Sequence, residues 1–142
     1  AGGWAKDEGL YCVRKAYADK LDQPGFQISF LKHEAQHHAD FRLGELEPWL
    51  LEYRAKLVEL IYTPDSTFLK SLLASADLAS KGNSHAYAAG KIVTDLSAWL
   101  EAQGAADGLR ALEAAVADER NWEDMQGVIR KGSRELLIKK LY

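Results

Sequence analysis

A mainly helical single domain, with at most a small β-sheet near the N-terminus, is the fold class this sequence predicts, on three observations. Apolar residues recur three and four apart along nearly the whole chain, the breaks between these stretches carry Gly, Pro and capping residues, and period-two alternation is scarce. At 142 residues the chain has the length of one ordinary domain, and 47% hydrophobic with 27% charged residues is the composition of a chain that buries its own core. It begins Ala1-Gly2-Gly3 without an initiator Met, as a processed end, a tag remnant or a fragment of a longer protein does.

Taken in order, residues 6 to 21 place Leu10, Val13, Tyr17 and Leu21 at helical spacing, with a short strand inside residues 10 to 14 as the competing assignment, and Asp22-Gln23-Pro24-Gly25 stops the segment. Residues 26 to 41 form the second helix, whose first five residues could instead start extended; Ile28, Leu31 and Ala35 line one side, and Gly44 follows its end. Pro48 suits the first turn of a third helix running to Tyr62. Thr63-Pro64-Asp65 then pairs a capping hydroxyl with a first-turn proline and opens a fourth helix through Leu69, Leu72, Leu73, Ala76 and Leu78. Lys81-Gly82-Asn83-Ser84 separates it from a fifth over residues 85 to 103, closed by Gly104. Two further helices are expected at residues 107 to 119 and 122 to 141, the last weakened by Gly127 and Gly132.

The formal net charge of −3 excludes an overall basic footprint, so no nucleic-acid partner is expected. The densest basic stretch, Arg130-Lys131 to Lys139-Lys140, is interrupted by Glu135 and by apolar residues, and reads as the solvated face of the last helix. No apolar run has the length of a membrane span. Cys12 is the only cysteine, so no disulfide can form within the chain, and a structural thiol is the expectation for it. Trp4, Trp49, Trp99 and Trp122 are expected in or beside the core.

One motif carries chemistry: His33-Glu34-Ala35-Gln36-His37. On a helix, positions four apart share a face, so His33 and His37 can offer two imidazoles to one zinc ion while Glu34 stands at its edge as a general base. With four histidines in the chain, the expected number of chance matches is on the order of 0.01. Surface histidines on an amphipathic helix give the same spacing. His38 points about 100° further round the helix and cannot share the metal. Asp40, three residues past His37, is either an orienting group or a solvated helix end.

A third ligand must come from elsewhere. The next helix returns antiparallel: about 9 Å out from His37 to the turn and about 7.5 Å back at 1.5 Å per residue brings Glu52 level with His37. Glu59, two turns further on, returns nearer His33, and helix rise alone does not separate the two. Glu45 and Glu47, in the turn, are weaker candidates.

The motif with Glu52-Tyr53-Arg54-Ala55 on the following helix resembles the HExxH zinc metallopeptidases of the gluzincin type, in which a Glu-x-x-Ala run supplies the third ligand. The resemblance covers roughly residues 27 to 60. It departs from that pattern where Lys56 replaces the usual Asp, and no third His follows at metzincin spacing. It implies a zincin-like domain in which His33, His37 and Glu52 hold zinc, Glu34 is the catalytic base, and Glu59 accepts a hydrogen bond from a ligand imidazole. It further implies that His85 or Tyr87, at the start of a later helix, steadies the oxyanion, and that the substrate is a peptide or protein. Such enzymes hold substrate along a sheet edge beside the motif helix, so the resemblance places a small sheet within residues 8 to 30 or in a segment outside this chain. The alternative function is a non-catalytic helical interaction module with a vestigial or structural zinc site.

Overall fold

The computed structural model describes residues 3–6, 9–12 and 22–139. Among them lie six helices and one β-hairpin, so the protein is mainly helical. The hairpin pairs β1 (Gly3–Lys6) antiparallel with β2 (Gly9–Cys12), Trp4 opposite Tyr11 and Ala5 opposite Leu10. The strand within the competing assignment therefore displaces the helix expected from residue 6. The spacing of Leu10 suits a helical stripe, but Gly9 and the pairing of Leu10 with Ala5, five residues upstream, favour extended backbone. Residues 13–21, the rest of that expected helix, lie outside the described residues.

Helix α1 covers residues 24–41. Pro24–Phe26 opens it with proline in the first turn, Gln27–Lys32 is π-helical, and His33–Phe41 is regular α-helix. The Ser29 hydroxyl donates back to the Gly25 carbonyl within the wide turns. Phe26, Phe30, His33, His37 and Asp40 are its buried residues, spaced four, three, four and three apart. The stripe that faces the rest of the protein thus begins aromatic and ends ionisable. The hairpin packs against the His33–Phe41 stretch.

Helix α2 (Pro48–Tyr62) matches its expected bounds, with Pro48 in the first turn. It is the central element, packed against α1, α4 and α6. Helix α3 is Thr67–Ser75, shorter at both ends than expected. Thr63 ends α2 in extended geometry, and Asp65 Oδ1, not the Thr63 hydroxyl, accepts from the Thr67 N–H. Leu78 lies past the helix end, against Gly90, where an added Cβ would come within 2.9 Å of it. Helix α4 (Ser84–Ala102) is capped by Asn83, whose side chain accepts from the Ala86 N–H, and Gly104 follows with a φ of 109° that favours glycine. Asp107 caps α5 (Gly108–Ala115), and Asp118 accepts from the Asn121 N–H at the start of α6 (Glu119–Lys139). The first of these two helices ends four residues before the expected 119, and the second begins three residues before the expected 122.

The core is built by Tyr53, Leu57 and Leu60 of α2, Leu69 and Leu72 of α3, Ile92, Leu96 and Leu100 of α4, Leu112 of α5, and Trp122, Ile129 and Leu136 of α6. Each fully buried Leu or Ile contributes about 1.5–3 kcal/mol by leaving water. Trp49 and Trp99 pack against this core from the side. Gly132 is there for close approach: a Cβ would lie 2.7 Å from the Trp99 ring and 2.8 Å from Leu96. Polar ties cross the same interior. Arg54 Nε donates to both carboxylate oxygens of Asp40 at 3.0 and 2.9 Å and its Nη1 to the Leu137 carbonyl at 2.8 Å, while Tyr53 donates to Asp95 at 2.8 Å. Asp40 is 1% exposed and accepts from Gln36 and Arg54, so it is not a solvated helix end. It is half of an ion pair that joins α1 to α2, and losing either partner would strand a buried charge at a cost of about 3–5 kcal/mol.

Candidate metal centre

The antiparallel packing of α1 on α2 brings the ionisable end of the α1 stripe over three residues of α2: Glu52, Arg54 and Glu59. Two of them meet the histidines. His33 Nε2 lies 3.4 Å from Glu52 Oε2, and His37 Nε2 lies 3.3 Å from Glu52 Oε1. The two imidazoles meet edge to face, ring centres 4.7 Å apart. One ligand atom from each of His33, His37 and Glu52 falls within 4.8 Å of the others, so the three form a group that could hold a metal ion. Glu59 stands behind His33, with its Oε2 2.9 Å from His33 Nδ1. The rise per residue had left Glu52 and Glu59 open as third ligand; in the fold Glu52 faces both imidazoles and Glu59 takes the far nitrogen of one.

His85, second residue of α4, reaches the same carboxylate from the third side. Its Nδ1 is 3.0 Å from Glu52 Oε2, while its side chain is 65% exposed at the rim. Tyr87, two residues on, is half-buried, with its ring edge-on to Trp49 at 5.4 Å. Glu34 is half-buried on the turn between the two histidines, and among the described residues its carboxylate has no hydrogen-bond or ion-pair partner. Glu47, in contrast, accepts from the Trp49 indole N–H, and neither it nor Glu45 joins the cluster.

The electrostatics follow from this crowding. Burial disfavours the charged form of His33, but the Glu52 and Glu59 carboxylates outweigh it and hold the imidazole up at about 9. Burial likewise works against a charged Glu52, and contacts with His33, His37 and His85 reverse that, keeping its carboxyl far below the ordinary range. Within this cluster, His37 Nδ1 and Glu52 Oε2 are buried and have no hydrogen-bond partner among the described residues, although imidazole nitrogens lie 3.4 and 3.0 Å from Oε2.

Zinc fits this donor set. Two imidazole nitrogens and a carboxylate oxygen are the three-ligand combination of sites that leave a fourth position open. The two imidazoles approach different oxygens of the one carboxylate, His33 at Oε2 and His37 at Oε1, and one ligand atom from each of the three residues lies within 4.8 Å of the others, close enough for a single ion to draw them together. When His33 is neutral, the Glu59 contact favours the tautomer with the proton on Nδ1, which leaves the Nε2 lone pair turned to the centre. Arg54 and Asp40, which no local pattern linked to each other, close the interface just beyond it.

No family model matches the chain, and no curated protein or solved structure shows detectable similarity to it, so function has to be argued from the chemistry of this site.

Proposed function

We propose that the chain is a zinc-dependent metallopeptidase of the gluzincin type, in which His33, His37 and Glu52 hold the ion and Glu34 is the general base. The observation that carries this reading is the pair of 3.3–3.4 Å separations between the two motif imidazoles and one Glu52 carboxylate. When bound, zinc supplies Lewis acidity that makes water acidic enough to lose a proton near neutral pH. Glu34, half-buried one residue after His33 and without a partner among the described residues, takes that proton on its carboxylate as the water oxygen bonds to the peptide carbonyl carbon. It then delivers the proton to the amide nitrogen as the carbon–nitrogen bond breaks, so that an acid and a free amine leave. His85, rather than Tyr87, adjoins the cluster and is the better placed to donate to the developing oxyanion. Its contact with Glu52 orients both partners meanwhile.

A structural role is the second reading, favoured by one observation: through Glu52 the cluster joins α1, α2 and α4. The Glu34→Gln variant separates them. The proposal expects zinc at unchanged stoichiometry and peptide hydrolysis reduced by about 10²–10⁴. Hydrolysis that survives Glu34→Gln would remove Glu34 from the mechanism. Full zinc occupancy in a wild-type protein that cleaves nothing across a peptide library would assign the site to structure instead.

A further inference from the structure

Beside Glu59, the start of α1 and the junction of α2 with α3 line an open cavity of about 440 Å³. That is within the range of small-molecule sites, roughly 300–1,000 Å³. Ile28, Phe68 and Pro64 supply its apolar wall, Ser29, Thr67 and Ser71 line it with hydroxyls, and Glu59 and Asp65 are its charged groups. None of the residues lining it is basic. Glu59 is the distinctive one. It is 5% exposed, its Oε2 is engaged by His33, and among the described residues its Oε1 has no donor. Oε1 is not one of the fully enclosed polar atoms without a partner, so it is open to the cavity that Glu59 lines and can accept from an occupant; the acidic and apolar lining favours one that is positively charged, hydrogen-donating and carried on an apolar stem.

We propose that this cavity binds a cationic alkyl group, an ammonium or guanidinium whose aliphatic stem lies against Ile28 and Phe68 and whose head donates to Glu59 Oε1. A snorkelling Lys or Arg side chain of a polypeptide and a free polyamine share this chemistry. The site is independent of metal chemistry in its ligand, yet it shares Glu59 with the centre, so an occupant is one carboxylate away from His33.

The test titrates ¹⁵N-labelled full chain, metal-free and zinc-loaded, with 1,5-diaminopentane, with acetyl-Gly-Lys-Gly-amide, and with the neutral 1,5-pentanediol. The ammonium probes are expected to shift the Ile28, Thr67 and Phe68 amides saturably. Pentanediol should bind about ten-fold more weakly or worse, the discrimination a charge-assisted hydrogen bond provides. Ser71→Phe, an exposed position on the cavity wall, should weaken amine binding by a similar factor, its melting temperature showing that it folds. Tighter binding of the diamine assigns the site to free amines, and tighter binding of the lysyl peptide to polypeptide side chains. Equal binding of diol and diamine, absence of binding by both amines, or wild-type affinity in Ser71→Phe overturns the proposal. Failure of zinc to bind His33 and His37 is read separately, by metal analysis, and leaves the amine result standing.

Discussion

Removing the carboxylate behind His33 should weaken zinc binding by an amount that depends on pH in a specific way. Glu59 Oε2 accepts from His33 Nδ1 at 2.9 Å inside the protein. A hydrogen bond to a charged group is worth about 1.5–3 kcal/mol, and one that holds a metal-ligating imidazole typically supports metal affinity by about 10–100-fold. Glu59→Gln retains an accepting oxygen and should lose roughly the charge-assisted half of this, about ten-fold; Glu59→Leu should lose all of it. Those losses apply where His33 is already neutral. At pH 7 the wild-type imidazole, held up at about 9 by the same Glu59 together with Glu52, must shed a proton before Nε2 can bind metal, which costs roughly 1.4 kcal/mol per pH unit below that value. Removing Glu59 relieves part of this competition. The variants should therefore differ from wild type most at pH 9 and much less at pH 7. Competition with a chromophoric chelator across this range measures both ends. Zinc affinities within two-fold of wild type at pH 9 in both variants would refute the assignment of Glu59 as the group that orients His33.

Two further outcomes follow from the geometry. His33 has a folded-state value of about 9 against 6.5 for the free imidazole, so its contribution to stability is complete below pH 6.5 and is lost as pH rises through 9; urea unfolding of the metal-free protein should show that decline, and zinc-saturated protein should not, because the proton is already gone. Gly132→Ala forces a Cβ within 2.8 Å of Leu96 and of the Trp99 ring and should cost about 1–3 kcal/mol, whereas Gly127→Ala, on the same helix with nothing within 4 Å, should stabilise by up to about 1 kcal/mol; chemical denaturation of the pair tests whether the two glycines differ in this way.

The elements that were readable in the sequence are those whose ends are written locally. Helix α2 was legible because Pro48 belongs in a first turn, and rise per residue brought both Glu52 and Glu59 back to the level of the histidines without separating them, whereas in the fold Glu52 meets both imidazoles and Glu59 only His33. The hairpin was not, because four residues of β2 satisfy helical spacing as readily as strand pairing until Gly3–Lys6 is seen beside them. The π-helical turns of Gln27–Lys32 leave no mark in residue type. The Asp40–Arg54 pair also escaped, since either charge alone reads as solvated, and nothing in the local pattern shows that residues fourteen apart will bury each other.

That pair is nevertheless the best control for the centre beside it. Asp40 and Glu52 are two carboxylates in one helix–helix interface, and burial presses on each to find donors. Asp40 has found them within the protein: Gln36 Nε2 at 2.8 Å and Arg54 Nε on both oxygens. Glu52 has three imidazoles within 3.4 Å, yet among the described residues neither its Oε2 nor His37 Nδ1 has a hydrogen-bond partner. A carboxylate left open among imidazoles is what the proposed metal site requires, and His33, His37 and Glu52 form a group that could hold an ion there.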